Sequence, residues 1–276
     1  MAGRRTELLE RIAYALGLIA PAEPAPPDWL AAPAYVWTGA GARPIASIEA
    51  PRLEQLRGID RQKAAVSANV ARLASGHAAH DMLLWGARGM GKSALIRAAV
   101  REVQESASAS LALVQVGNDA LGSLARLFVD LAEAERNFLV YIDDLGFGDD
   151  SAAEARRLRS WLDGGVEARP ANVRLAVTSN RRAIVERQAS DQDSALNPRD
   201  IIDDQLALAD RFGLSLGFHA CTQDEYLAIV RGYAESYALD FTEDDALAWS
   251  KQRGARSGRT AWQFVTELAG RAGKPL

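Results

Sequence analysis

The chain has 276 residues, of which 48% are hydrophobic and 25% are charged, values typical of a soluble globular protein with a large core. Its 32 Lys and Arg against 36 Asp and Glu give a formal net charge of -4, which excludes a chain-wide basic field for nucleic acid but leaves a local patch open. The single cysteine, Cys221, excludes an internal disulfide and a cysteine-based metal cluster.

The N-terminal segment carries a helical pattern. Apolar residues recur there at helical spacing, and these are Leu8, Ile12, Leu16 and Ile19. The pattern predicts an amphipathic helix that packs on the body of the protein or on a partner. Charged residues interrupt the place where a signal-peptide core would begin, and no run of about 18 apolar residues occurs anywhere. We therefore expect a cytoplasmic protein without a membrane span.

A proline-rich arm follows this helix and completes a predicted N-terminal region over residues 1–52. Seven of the ten prolines lie between residues 21 and 51, which predicts extended and irregular structure. The arm also contains Trp29, Tyr35 and Trp37. Because a fully solvated linker has no use for aromatic side chains, we expect part of the arm to dock on a surface.

Short apolar runs alternate with helical patterns between residues 53 and 220. The runs that predict strands are 82–85, 111–116, 138–142, 173–178 and 214–218. Helices are expected at about 62–73, 93–104, 120–134 and 152–162. Strands that alternate with helices predict an α/β domain, with a five-stranded parallel sheet covered on both faces.

The first of these strands leads into a glycine-rich loop. Gly86 to Ser93 matches the pattern G-x-x-x-x-G-K-[ST] in full, between a strand and a helix as that motif requires. Glycines allow the backbone N–H groups to wrap a polyphosphate at the helix N-terminus. The residues expected to hold a nucleotide are Gly86, Ala87, Arg88, Gly89, Met90, Gly91, Lys92, Ser93 and Ala94. Lys92 would reach the β and γ phosphates, and the Ser93 hydroxyl would ligate Mg²⁺.

Polar side chains follow the third and fourth predicted strands. Asp143 would hold Mg²⁺ through a water, and Asp144 would orient or deprotonate the water that attacks the γ-phosphate. Asn180 would hydrogen-bond the γ-phosphate or that water, because strand carboxyl ends are where an open α/β sheet places its ligands. The alternative is that these residues only form turns or cap helices.

Residues 221–276 predict a small helical domain that packs over the nucleotide. Thr222 to Glu225 forms a capping box that opens a helix, and Thr242 to Asp245 opens a second helix. A last helix follows Gly258. The expected architecture is thus an α/β nucleotide-binding domain at 53–220 with a helical lid.

The order of these motifs resembles the AAA-type P-loop ATPases. More closely, it is similar to a small bacterial AAA family known only as a domain of unknown function. The segments that carry the resemblance are Gly86 to Ser93, Asp143 to Leu145, Thr178 to Arg182, Asp210 to Gly213 and Arg256 to Thr260. The resemblance implies that ATP is hydrolysed with Mg²⁺, and that Ile59 contacts the adenine.

Three arginines gain roles from the same resemblance. Arg211 corresponds to the arginine finger that completes a neighbouring subunit's site, so a homo-oligomer is expected. Either Arg256 or Arg259 corresponds to a lid sensor, and we favour Arg259 because its spacing from the apolar positions puts it on the inward side of the first helical turn. The alternative is a surface role, in which Arg211 pairs with Asp210 and the lid arginines are simply exposed.

Three classes of function remain open. The first is an ATPase or ATP-driven switch that acts on a protein partner through the arm, and we favour it. The second is a helicase-loader-like, DNA-associated ATPase, for which basic clusters at 156–159 and 181–182 are the evidence. The third is a nucleotide-binding scaffold that does not hydrolyse. It is suggested by Asp144, which is one methylene shorter than the Glu of many AAA proteins.

Overall fold

The computed structural model of the chain describes residues 27–106, 111–145, 169–180 and 209–276, together with Thr6, Arg11, Leu158, Trp161 and Leu162. The four apolar positions of the predicted N-terminal helix, most of the helix expected at 152–162 and the arginines of both basic clusters lie outside the described residues. Within that part of the chain, no helix is both long and apolar enough to cross a lipid bilayer.

Strands and helices alternate through most of the described chain. The strands are β1 (Ala34–Trp37), β2 (Ala42–Ile45), β3 (Met82–Gly86), β4 (Leu111–Val116), β5 (Asn137–Ile142), β6 (Val173–Ser179) and β7 (Leu214–Phe218). The α-helices of the described residues are α1 (Asp60–Ala74), α2 (Lys92–Ser106), α3 (Leu124–Ala132), α4 (Gln223–Ser236), α5 (Glu243–Gln252) and α6 (Gly258–Arg271). Short 3-10 helices occupy Leu53–Gln55 and Asn118–Ser123.

The strands form one sheet in the order β2-β1-β4-β5-β6-β3-β7. Every neighbouring pair is parallel except β1 and β2, which pair antiparallel. This order places β6 between β5 and β3. The carboxyl ends of these three strands therefore meet at one edge of the sheet, which brings together the residues that follow each strand.

The prediction of five strands is wrong in number, because the arm contributes two more. The prolines suggested irregular structure, yet Pro44 lies on the edge strand β2, where a missing N–H costs little.

The aromatic residues that were expected to dock on a surface are buried in this same chain. Trp29 packs edge-on against Tyr35 and Phe138, with ring centroids 4.8 and 5.7 Å apart. Tyr35 and Trp37 are each only 1% exposed.

A buried arginine attaches the arm to the sheet. Arg136 donates hydrogen bonds to the carbonyl oxygens of Trp29 at 3.0 Å, Ala32 at 2.7 Å and Leu111 at 3.0 Å. These bonds link the segment before β1 to the start of β4. Because buried carbonyl groups are costly to leave unpaired, they hold the arm in register against the sheet.

Successive side chains of β3 point to opposite faces of the sheet, and each face has a core. Leu83 belongs to the cluster covered by α3, whereas Met82 and Leu84 belong to the cluster covered by α1 and α2. The C-terminal helices α4, α5 and α6 form a third core of their own, whose members include Tyr226, Val230, Phe264 and Val265. The last of these helices reaches the loop after β3.

Candidate functional site

The loop from β3 to α2 has a backbone that requires glycine. Gly86 and Gly89 have φ angles of +116° and +79°, in the left-handed region that side chains disfavour. A Cβ on Gly86 would also lie 2.1 Å from the carbonyl oxygen of Phe218 on the neighbouring strand β7. The loop turns directly into α2, which begins at Lys92. The positive end of the helix dipole therefore faces the space above the sheet.

Lys92 is buried inside this loop, with 5% of its surface exposed. Its Nζ donates to three oxygens at 2.9 Å, those of the Gly86 carbonyl, the Ala87 carbonyl and the Asn180 side chain. Burial lowers the pKa of Lys92 to about 8, although the neighbouring Asp144 and Asp143 carboxylates oppose this change. The ammonium group is thus held in place, and with a pKa of about 8 it loses its proton just above neutral pH.

Asp143 follows β5, and one of its carboxylate oxygens accepts hydrogen bonds from two hydroxyl groups. Ser93 Oγ donates to Asp143 Oδ1 at 2.7 Å, and Thr178 Oγ1 donates to the same oxygen at 2.6 Å. Burial by itself would raise the pKa of this carboxyl, but the surrounding hydroxyls outweigh burial and lower its pKa below the ordinary value. The Asp143 carboxylate is therefore ionised and lies next to the Ser93 hydroxyl. Mg²⁺ binds oxygen ligands of these two kinds together with phosphate oxygens.

Asp144 adopts a left-handed conformation, with φ +54°, which Asp tolerates better than most residues. Its backbone N–H donates to Thr178 Oγ1 at 2.8 Å, and its carboxylate accepts a hydrogen bond from Asn180 Nδ2. Because Asn180 Oδ1 accepts from Lys92, a continuous chain of hydrogen bonds runs from Lys92 through Asn180 to Asp144. The side chain of Asp144 is exposed toward the space above the sheet.

The C-terminal helices contact the glycine-rich loop through the start of α6. The backbone N–H of Arg259 donates to the carbonyl oxygen of Gly89 at 3.0 Å. Ser257 caps α6 by accepting from the Thr260 N–H at 3.2 Å, and it lies beside Gly89 as well. The small helical domain therefore touches the loop backbone directly.

A cavity of about 860 Å³ lies between this loop and the C-terminal helices, within the usual size of ligand pockets. The predicted site residues that line it are Ile59, Arg88, Gly89, Met90, Gly91, Lys92, Ser93, Ala94, Asp143, Asp144, Asn180 and Arg259. Gly86 and Ala87 lie behind the wall and contribute the carbonyl groups that hold Lys92.

Two predicted arginines lie outside the cavity wall. Arg256 precedes the cap of α6, is exposed and lies close to Cys221, whose pKa it lowers against the larger effect of burial. Arg259, which the sequence analysis favoured as the lid sensor, does line the cavity, and the role of either arginine stays a prediction. Arg211 lies just before β7, beside the buried Phe212. The predicted role of Arg211 as a finger that acts on a neighbouring subunit stays a prediction.

The cavity wall also contains residues that the sequence analysis did not predict, among them Arg97, Tyr233, Tyr237 and Trp262. Trp262 makes edge-on contacts with Tyr233 and Tyr237, with centroids 5.1 and 6.0 Å apart. Their spacing along the helices could have identified two of these residues from the sequence. Arg97 follows Ser93 by one turn, and Trp262 follows Arg259 by three residues, so each lies on the same helix face as a predicted site residue.

A sequence profile described as "Protein of unknown function (DUF815)" matches residues 30–272 of the chain. The chain belongs to the DUF815 family. The predicted resemblance to a family of unknown function is therefore confirmed. No curated protein matches the sequence of this DUF815 protein.

Solved structures share the fold of this DUF815 protein at low sequence identity. ORC1 of Aeropyrum pernix, solved in complex with DNA, matches with a TM-score of 0.55 and 17% identity, over 78% of this chain and 61% of that chain. A RuvB variant of Thermotoga maritima gives a TM-score of 0.53 and 18% identity, over 81% and 69%. The AAA domain of FIGL-1 in complex with ADP gives 0.52 and 16%, over 82% and 76%. The DUF815 protein therefore has an AAA-type fold, as predicted.

Proposed function

We propose that this DUF815 protein is a Mg²⁺-dependent ATPase that works as a homo-oligomer and acts on a protein partner. The observation that carries the proposal is the convergence of Lys92, Ser93, Asp143, Asp144 and Asn180 on one cavity from three adjacent strand ends. The cavity also extends to the aromatic wall of the C-terminal helices, where a nucleobase would find an apolar surface. The AAA domain with ADP shows the same fold around a nucleotide.

The polar residues divide between phosphate binding and the attack of water. The N–H groups of the loop and the Lys92 ammonium would bind the phosphates, with Arg259 joining them from the first turn of α6. Ser93 and Asp143 would hold Mg²⁺, which when bound would draw charge from the phosphate oxygens. Asp144 would accept a proton from the attacking water, and Asn180 would fix the direction of the Asp144 carboxylate.

Lys92 must exchange partners when phosphate arrives. All three of its N–H donors are engaged by oxygens of the chain itself. A phosphate oxygen would displace one of them, and displacement of Asn180 Oδ1 would leave the Asn180 side chain free to turn toward the phosphate or the water. Phosphate binding and the placement of the catalytic groups would then be coupled through Asn180.

The buried aromatic residues of the arm, the net charge and the loop at 117–122 bear on the kind of partner. The aromatic residues of the arm are buried in this chain, so they no longer support a partner-binding role. The excess of acidic over basic residues, which gives a net charge of -4, supports a protein client. The loop at 117–122 lacks the aromatic-apolar-glycine element of polypeptide-threading AAA proteins, so the client is expected to be remodelled or bound and not threaded. The DNA-associated alternative would appear as DNA binding that weakens steeply with salt.

The deciding experiment measures ATP turnover across a protein concentration series, with the molecular mass followed in the presence of ATP. Turnover per subunit should rise as an oligomer forms. Lys92→Ala should abolish tight ATP binding, whereas Asp144→Asn should retain binding and lose turnover. Equal ATP affinity in the wild type and Lys92→Ala would show that the loop is not a phosphate site.

A mixing experiment tests whether the arginine finger acts in trans. Arg211→Ala subunits lack the finger but keep their own site, and Lys92→Ala subunits lack the site but keep the finger. A mixture of the two should regain part of the wild-type turnover that each lacks alone. No recovery in a mixed oligomer of confirmed mass would show that Arg211 does not act in trans.

A further inference from the structure

One buried hydroxyl near the site has no role in the function proposed so far. Tyr141 lies on β5, is 1% exposed, and its hydroxyl oxygen has no hydrogen-bond partner among the described residues. Three other side-chain atoms of the described chain share this state, and they belong to Ser67, Arg136 and Trp249. Tyr141 differs from these because it stands two residues before Asp143. A buried unpaired hydroxyl is costly, so its retention calls for an explanation.

The strand geometry brings Tyr141 to the magnesium ligands. Residues two apart on a strand point to the same face, so Tyr141 and Asp143 lie on the side of the sheet that α2 covers. The ring belongs to the same core cluster as Leu95 and Ile96 of α2, while the hydroxyl lies near Ser93 and Asp143. The hydroxyl group carries one O–H donor, which is available to an acceptor on this side of the sheet.

Asp143 has room for another donor. Both hydrogen bonds that described residues make to its carboxylate, from Ser93 and from Thr178, end on Oδ1. In the present geometry, the Tyr141 hydroxyl is close enough to influence the pKa of Asp143 but does not meet hydrogen-bond geometry. Among the described residues, the other carboxylate oxygen, Oδ2, is the acceptor left open to the Tyr141 hydroxyl.

We propose that Tyr141 is a positioning residue for the magnesium site, in which its hydroxyl donates a hydrogen bond to Asp143 and fixes the carboxylate for the ion. This inference rests on the proposed function, since it assigns a role toward Mg²⁺ bound with nucleotide. Ser93 and Thr178 both donate to Oδ1, so a third donor on the Asp143 Oδ2 would fix the orientation of the whole carboxylate. Hydrogen bonds to metal-binding carboxylates commonly affect metal affinity about 10- to 100-fold.

The test compares the wild type with Tyr141→Phe, which keeps the ring and removes a single oxygen. Binding of a fluorescent ADP is measured in EDTA and then across a Mg²⁺ titration at fixed ADP. We expect the affinity in EDTA to stay within about twofold of the wild type, while the Mg²⁺ concentration for half-maximal effect rises about tenfold. The unfolding temperature without nucleotide should be unchanged or higher, because the variant removes an unpaired buried hydroxyl.

Tyr226→Phe is the matched control. Tyr226 is fully buried in the C-terminal helices, where its hydroxyl donates to the Ala246 carbonyl at 3.2 Å, so this variant removes a hydroxyl of structural value only. It should lower the unfolding temperature and leave the Mg²⁺ titration unchanged.

Three outcomes would overturn the inference. A wild-type Mg²⁺ titration in Tyr141→Phe would remove the positioning role, and so would an equal loss of affinity in EDTA and in Mg²⁺, which would indicate a structural effect. If the wild type itself binds no nucleotide in either condition, the proposed function fails and the inference fails with it.

Discussion

Asn180 joins Lys92 to Asp144 across the carboxyl ends of three adjacent strands. Its Oδ1 accepts from Lys92 Nζ at 2.9 Å, and its Nδ2 donates to the Asp144 carboxylate. The amide thus links the group expected to bind phosphate with the group expected to activate water. Neither an ionised carboxylate nor a hydrocarbon side chain offers both a donor and an acceptor at this position.

Asn180→Ala should separate ATP binding from ATP hydrolysis. Lys92 keeps its two carbonyl partners, so the ATP affinity should change by no more than a few-fold. Asp144 loses its orienting donor, so turnover should fall about 100-fold, as when one catalytic hydrogen-bond donor is removed elsewhere. The control is Asn172→Ala, directly before the other end of the same strand, where the amide donates to the carbonyls of Leu131 and Arg136. That variant should lose stability and keep its turnover per folded molecule.

ATP affinity should fall as the pH rises through about 8. The pKa of Lys92 is lowered to about 8 by burial, so Lys92 is charged below that pH and neutral above it. A bound phosphate raises this pKa again, so binding at higher pH must take up a proton, and the affinity should drop by at most about tenfold per pH unit. Calorimetry in buffers of different ionisation enthalpy should show proton uptake at pH 8.5 and little at pH 6.5. Uptake in Lys92→Ala equal to that of the wild type would assign the proton to another group.

Gly89→Ala should weaken both folding and nucleotide binding. At φ +79° the added methyl group is strained, and it would lie 2.9 Å from Ser257 Oγ and 3.3 Å from Arg259 Cβ. Gly76→Ala is the matched control, because Gly76 has φ +70° and open space around the same position. Both variants should lose about 1–2 kcal/mol of unfolding free energy from the left-handed backbone. Only Gly89→Ala should also lower the ADP affinity, by about tenfold, since it pushes α6 off the loop. Equal affinities in the two variants would disprove the coupling.

The two lid arginines should differ in their effect on ATP. Arg259 lines the cavity near Lys92, whereas Arg256 lies outside the wall near Cys221. Loss of a charged hydrogen bond to phosphate is worth about 1.5–3 kcal/mol, so Arg259→Ala should weaken ATP binding about 10- to 100-fold. Arg256→Ala changes the net charge equally and should stay within about twofold of the wild type. The reverse order in an ATP titration would assign the sensor role to Arg256 instead of Arg259.

Local sequence was sufficient for the conformation of the glycine-rich loop and for the strands around it. The pattern from Gly86 to Ser93 specifies a backbone that only glycine permits, followed by a helix N-terminus, and both depend on residues adjacent in the chain. The five apolar runs likewise predicted five strands, since strands buried on both faces are continuously apolar. Asp143 and Asp144 lie beside this loop in the cavity wall because they follow a parallel strand at its carboxyl end.

Tertiary structure decided what depends on residues far apart in the sequence. The order of the strands put β6 between β5 and β3, and so put Asn180 between Lys92 and Asp144. The arm became two strands because Arg136, about 100 residues later, satisfies the carbonyl groups before β1. The packing of the C-terminal helices likewise places Arg259 in the cavity wall and leaves Arg256 outside it. Propensity and periodicity act within one element, whereas neighbours across a sheet or a cavity are fixed only when the whole core is packed.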